Sequence, residues 1–163
     1  MNKLRTNLWF DSEAEEAARF YVDIFRDAKL GAITLYPKAG EEVSGKPPGS
    51  VLTVEFELFG NPFVALNGGP IFKFNEAISI EVECADQAEV DYYWEKLGEG
   101  GDPEAQQCGW LKDKYGLSWQ IVSEGFARMM HDPDQAKVER AFEAMLPMKK
   151  LDLAELERAF EGR

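Results

Sequence analysis

Apolar positions along the chain alternate between two periods, and the switches between them predict the elements. Leu4 to Phe10 reads as a strand, after which Ala14, Ala17, Ala18, Tyr21, Ile24 and Phe25 recur at helical spacing. Ser12 followed by Glu15 has the spacing of a capping box at the start of that helix. Leu30–Tyr36 is a second strand, and residues 37–49 form a polar loop rich in Gly and Pro. From Val51 to Phe59 the chain alternates, with Val54, Phe56 and Leu58 on one face and Glu55 and Glu57 on the other. Gly60-Asn61-Pro62 then turns it into a partner strand ending at Asn67.

The order then repeats. Residues 77–84 alternate, and Asp86 caps a helix whose face is Val90, Tyr93, Trp94 and Leu97. Two strands follow, around Gln107–Lys112 and Leu117–Ser123, joined by a turn at Asp113-Lys114-Tyr115-Gly116. Leu8-Trp9-Phe10-Asp11 is echoed from Ile80 at an offset of 72 residues, and Gly60–Ala65 is echoed from Gly116 at an offset of 56. Two similar halves point to a duplicated supersecondary unit. Past Glu124 the pattern is helical only. Asp132-Pro133 opens one helix with Val138, Ala141, Phe142 and Met145 on its face, and Pro147 closes it. Asp152 with Glu155 opens another, with Leu151 and Leu156 spaced as a hydrophobic staple. The expected organisation is residues 1–123 as paired modules, about 1–68 and 76–123, followed by a helical extension over 124–163. So short a tail must pack on the modules or on another subunit.

Composition narrows the partners. Eighteen basic against 30 acidic residues give a net charge of −12, and no basic patch is present, so neither nucleic acid nor an anionic membrane surface is an expected partner. No apolar run is long enough to span a bilayer, and the N-terminus lacks a signal-type core. Cys84 and Cys108 stand apart with no paired spacing, which fits a reducing, cytoplasmic setting and small half-buried side chains. His131 is the single histidine and falls in a connector outside both modules, which removes Ser-His and Cys-His catalysis from within them.

Strand, helix and further strands, given twice, resemble the vicinal oxygen chelate superfamily of glyoxalases, extradiol dioxygenases and bleomycin resistance proteins, in its PhnB-like branch. The residues carrying the likeness are Leu8-Trp9-Phe10-Asp11, Glu15-Glu16-Ala17 with Phe20-Tyr21, Phe72-Lys73-Phe74-Asn75, and Gly109-Trp110 through Asp113-Lys114-Tyr115-Gly116-Leu117-Ser118-Trp119-Gln120. Ala144-Met145-Leu146 and Met148-Lys149-Lys150-Leu151-Asp152 of the tail also fit. The resemblance implies an α+β fold of two βαβββ modules, glyoxalase/bleomycin-resistance-like, with a C-terminal helical tail. It also implies a curled sheet in each module and a cup-shaped site, commonly with His and Glu metal ligands on the first and last strands. Carried onto this chain, those ligand positions fall at Arg5 or Thr6, Val64, Ala77 or Ile78, and Gln120, a set that does not suit a divalent cation. The branch is often labelled a demethylubiquinone methyltransferase. Here the first strand runs into Asp11-Ser12-Glu13 rather than a glycine-rich turn, so S-adenosylmethionine binding is not expected.

The candidate site is therefore a metal-free, cofactor-free cup. Alternation places Asn7 and Trp9 on one face, and Ser79 and Gln120 join them from the second half. With Glu55 these make a cup-lining set of one stacking surface and several polar tips, the usual make-up of a small-molecule pocket. The acidic rows Glu55/Glu57 and Glu81/Glu83 read as solvated strand faces or as groups that could hold a cation or act as a base. The expectation is a homodimeric small-molecule-binding protein, with cationic aromatic ligands favoured by a cation–π contact at Trp9 or Trp110 worth on the order of 1 kcal/mol. The alternative is a divergent enzyme of the same superfamily, a metal-dependent or metal-free lyase, isomerase or dioxygenase; no catalytic residue is assigned.

Overall fold

In the computed structural model, which describes residues 3–163, the chain divides into two compact units, one ending at Lys73 and one running from Phe74 to Arg163. The fold is mixed α+β, with one small sheet per unit and helices at the C-terminal end.

In the first unit, β1 (Thr6–Phe10), α1 (Ala14–Ile24), β2 (Ala28–Leu35), α2 (Glu41–Ser44), β3 (Val51–Leu58) and β4 (Asn61–Asn67) form a sheet in the order β1-β4-β3-β2. β1 and β4 are parallel, and the other neighbours are antiparallel. Register fixes the faces. Leu8, Ala65 and Val54 share one row and Thr6, Phe63 and Phe56 the next. That face takes α1, whose Ala14, Ala17, Ala18, Tyr21 and Ile24 are buried. Tyr21 stacks on Phe56, with ring centroids 6.0 Å apart, and Phe56 on Phe63 at 5.1 Å.

The helix start differs from the expectation. Ser12 and Glu15 form no capping box; the cap residue is Glu13, with no side-chain bond to the helix. Instead Asn67, 6% exposed at the end of β4, accepts from the Ala14 amide at 2.8 Å and donates to the Val51 carbonyl at 3.1 Å. A residue 53 positions away does the capping, so local spacing could not announce it.

The second unit holds β5 (Ser79–Cys84), α3 (Gln87–Gly98), β6 (Trp110–Lys112) and β7 (Ser118–Ser123), with sheet order β5-β7-β6. It follows the plan of the first with one strand fewer, a 3-10 turn at Pro103–Ala105 standing between α3 and β6. The expected strand from Gln107 is cut short because Cys108 and Gly109 both have positive φ, 50° and 83°. Asp86 caps α3 as expected, accepting from Glu89 N at 2.9 Å. Val90, Tyr93 and Leu97 of that helix are buried, as are Val82, Cys84, Leu111, Trp119 and Ile121 of the strands.

The two halves correspond with a slip. Ala65 pairs with Leu8 and Ile121 pairs with Val82. If the last strands correspond at an offset of 56, the first strands correspond at 74, whereas Ala18/Val90 and Tyr21/Tyr93 keep the helices at 72. The difference is even, so no side chain changes face. It does make Glu81, not Ser79, the counterpart of Asn7.

The helices α4 (Glu124–Met130), α5 (Gln135–Met145) and α6 (Leu153–Glu161) pack within the second unit. α4 was not legible in the periodicity; Ser123 caps it, accepting from Phe126 N at 3.0 Å. α5 begins two residues later than expected, capped by Asp134 rather than Asp132, and Phe142 lies 46% exposed instead of on its buried face. The connector between α5 and α6 is tied to the module. Cys108 N donates to Met148 O and Gly109 N to Lys149 O, both at 2.8 Å. Gln87 brackets Leu151 O and Leu153 N at 3.1 and 2.9 Å, and Lys150 pairs with Asp91 at 2.5 Å. Asp91 is held below the usual carboxylate range, first by its hydrogen bond from Lys150.

Cys84 is fully buried, and burial pushes its thiol up to about 12. The unfolded thiol, with a value near 9, releases its proton first. Stability from this group is complete below pH 9 and declines as pH rises toward 12. A Cys84→Ala variant should show a flatter alkaline decline in urea midpoint than the parent protein. Equal slopes would remove Cys84 as the cause.

Candidate ligand-binding site

The helix-free face of each sheet carries the polar residues. In the first unit Asn7, Val64 and Glu55 lie in one row across β1, β4 and β3, and Trp9, Leu66 and Thr53 in the next. The sequence-derived residues Asn7, Trp9 and Glu55 therefore share a face. Arg5 joins them: its Nη1 donates to Glu55 Oε1 at 2.5 Å. Lys29, in register with Glu57, pairs with it at 2.8 Å. The hydrogen bond that Lys29 donates to Glu57 raises its ammonium above its ordinary value. The acidic row of β3 is thus neutralised from both sides. Sequence reasoning missed this because it began the second strand at Leu30; the strand starts at Ala28, which brings Lys29 opposite Glu57.

Trp9 is not a free stacking platform. Its indole N–H donates to Gly69 O at 2.8 Å, and Phe72 meets it edge-on at 5.0 Å. The ring lies so close over Gly68 that a Cβ there would come within 2.1 Å of it. Glycine at 68 is required by that approach. Trp9 clamps the turn that follows β4 and stands as a fixed wall of the face.

In the second unit, Gln120 Nε2 donates to Ser79 Oγ at 2.8 Å, so these two predicted residues meet. Gln120 is in register with Glu81 on one side and half-buried Trp110 on the other. One row away, Ser118 lies between Ser79 and Lys112, and its buried hydroxyl has no hydrogen-bond partner. Lys112 pairs with Glu76, and that hydrogen bond holds the Glu76 carboxyl below its usual range.

The positions where the resemblance would put metal ligands do not suit a metal. Arg5 is a cation already paired with Glu55, Val64 is a buried aliphatic, Ile78 is 72% exposed, and Gln120 offers one amide oxygen. Among the described residues, no three His, Cys, Asp or Glu side chains are grouped to hold an ion. His131 lies at the end of α4, where its Nδ1 bonds Ala127 O at 2.7 Å, outside both sheets.

Turn chemistry explains the most specific stretch of sequence. Asp113, 2% exposed, accepts from Tyr115 N at 2.9 Å, Leu117 N at 3.0 Å and Trp119 Nε1 at 2.9 Å. This single carboxylate sets the β6–β7 hairpin and so the position of Gln120.

A family profile described as 3-demethylubiquinone-9 3-methyltransferase matches residues 2–122. The chain belongs to that family. A PhnB protein of Bacillus cereus, described in the same terms, is 32% identical with a TM-score of 0.63, over 75% of this chain and 99% of its own. A Pseudomonas aeruginosa protein of known structure, PA1353, shares the fold at 17% identity and a TM-score of 0.57, over 76% of this chain and 98% of its own. No curated protein matches. The PhnB description agrees with the branch that the sequence resembles. The span matched by the profile stops near the end of β7. Among the described residues no helix is long and apolar enough to cross a membrane.

Proposed function

We propose that this PhnB-like protein is a metal-free small-molecule-binding protein, acting as a cytoplasmic homodimer, with ligand-facing residues Asn7, Trp9 and Glu55 on the sheet of the first unit and Ser79 and Gln120 on that of the second. The supporting observation is the pair Gln120–Ser79 beside half-buried Trp110: an amide, a hydroxyl and an aromatic edge stand on a helix-free face where metal chemistry would need carboxylate and imidazole. Such a set orients a ligand through hydrogen bonds and covers it with apolar surface. The family description names a methyltransferase, but the β1–α1 connection of Asp11-Ser12-Glu13 has none of the glycines by which a doubly wound methyltransferase receives S-adenosylmethionine.

Elemental analysis of protein purified without added metal, followed by a fragment screen read by amide chemical shifts, tests this. The expected result is no stoichiometric divalent metal and shifts around Gln120 and Ser79 that vanish in Gln120→Leu. One tightly held metal per chain would overturn the reading in favour of a divergent metal-dependent enzyme.

A further inference from the structure

The first unit contains a hollow of about 190 Å³ on its helix-free side, lined by Arg5, Lys29, Gly31, Glu55, Glu57 and Pro62 among others. Its floor is made by an irregularity in β2. The pairing with β3 shifts between Leu30 and Ile33, and a Cβ on Gly31 would stand 3.0 Å from that of Glu55. The volume is below that of pockets for drug-sized ligands, about 300–1,000 Å³. The occupant is therefore small.

Its charge is dictated by the walls. Two cations and two carboxylates line the space, paired as Arg5–Glu55 and Lys29–Glu57. A simple anion meets Glu55 and Glu57, and a simple cation meets Arg5 and Lys29. A molecule carrying both charges a few atoms apart meets complementary partners at both ends. Arg5 spends one guanidinium hydrogen on Glu55 Oε1, leaving donors for a second carboxylate. Glu57 lies in register with Pro62, on the row that Arg5 extends at the start of β1. The side chains of both pairs are 33% exposed or more, so the existing ion pairs are screened and open at little cost.

We propose that this hollow binds a small zwitterion of the α-amino-acid type, its carboxylate on Arg5 and its ammonium on Glu57. The inference rests on the reading that the helix-free face carrying Glu55 receives the ligand, and narrows the ligand's chemistry. It replaces the cationic aromatic ligand expected from a cation–π contact at Trp9 or Trp110.

The experiment is a low-salt titration of the full chain with L-alanine, acetate and ethylamine, followed by amide chemical shifts. L-Alanine should shift Gly31, Val64 and Glu57 with a Kd on the order of 1 mM, and acetate and ethylamine should bind at least tenfold more weakly. Arg5→Gln and Glu57→Gln should each weaken L-alanine tenfold or more while leaving the rest of the spectrum in place, and Gly31→Val should block the hollow. Acetate binding as tightly as L-alanine would overturn the zwitterion in favour of a simple anion. If neutral fragments shift Asn7 and Val64 while L-alanine does not, the zwitterion is overturned and the binding face stands. Silence from every probe at these amides would remove both.

Discussion

Asp113→Ala is expected to be the most damaging single substitution in this protein, costing about 3 kcal/mol or more. One buried carboxylate answers the backbone N–H groups of Tyr115 and Leu117 and the indole N–H of Trp119, itself 1% exposed. Hydrogen bonds to a charged acceptor are worth about 1.5–3 kcal/mol each, and donors stranded in a core add their desolvation cost. Asparagine does not rescue the position, because all three partners are donors and its amide nitrogen would face one of them. At about 2–4 °C per kcal/mol for a chain of this size, thermal unfolding should fall by roughly 6–12 °C. A change under 2 °C would show that the hairpin is held by something else. Because Gln120 follows Trp119, its hydrogen bond with Ser79 should loosen in the same variant.

Leu151→Ala should cost about 2–5 kcal/mol, the range for emptying a well-packed leucine site. Leu151 is 1% exposed although it sits in a connector, and Gly109 packs against it: a Cβ at 109 would lie 3.4 Å from Leu151 Cγ. The flanking backbone bonds to Met148 and Lys149 lock it there. A chain ending at Glu124 loses all of these together, along with buried Ala141 and Leu156. It should bind a hydrophobic dye and unfold at a lower urea concentration. An unchanged urea midpoint for the truncated chain would mean the helices ride on the module without supporting it.

Elements with strong periodicity were legible. The helix faces of α1 and α3, the alternation of β3 and the cap at Asp86 follow from spacing alone, because each is decided by neighbours within a few residues. Contacts set by distant partners were not. Asn67 caps α1 from the end of β4, Gly68 makes room for Trp9, and Arg5 reaches Glu55, and each joins segments at least 50 residues apart. Of the five candidate residues, alternation put Asn7 and Trp9 on one face, which Glu55 shares, and grouped Ser79 with Gln120, which meet by a hydrogen bond. It could not tell that Trp9 has its indole N–H occupied or that Glu55 has a cation at hand, since face is a property of one strand and occupancy of several.

The even slip between the halves bears on how residue roles pass from one copy of a duplicated unit to the other. Two residues along a strand are about 6.6 Å. A position transferred at constant spacing from β1 to β5 arrives on the correct face but a full row away, three times the length of a metal–oxygen bond of about 2.2 Å. Within such proteins, hydrogen-bond register rather than sequence spacing is the ruler by which pseudo-symmetric sites should be compared.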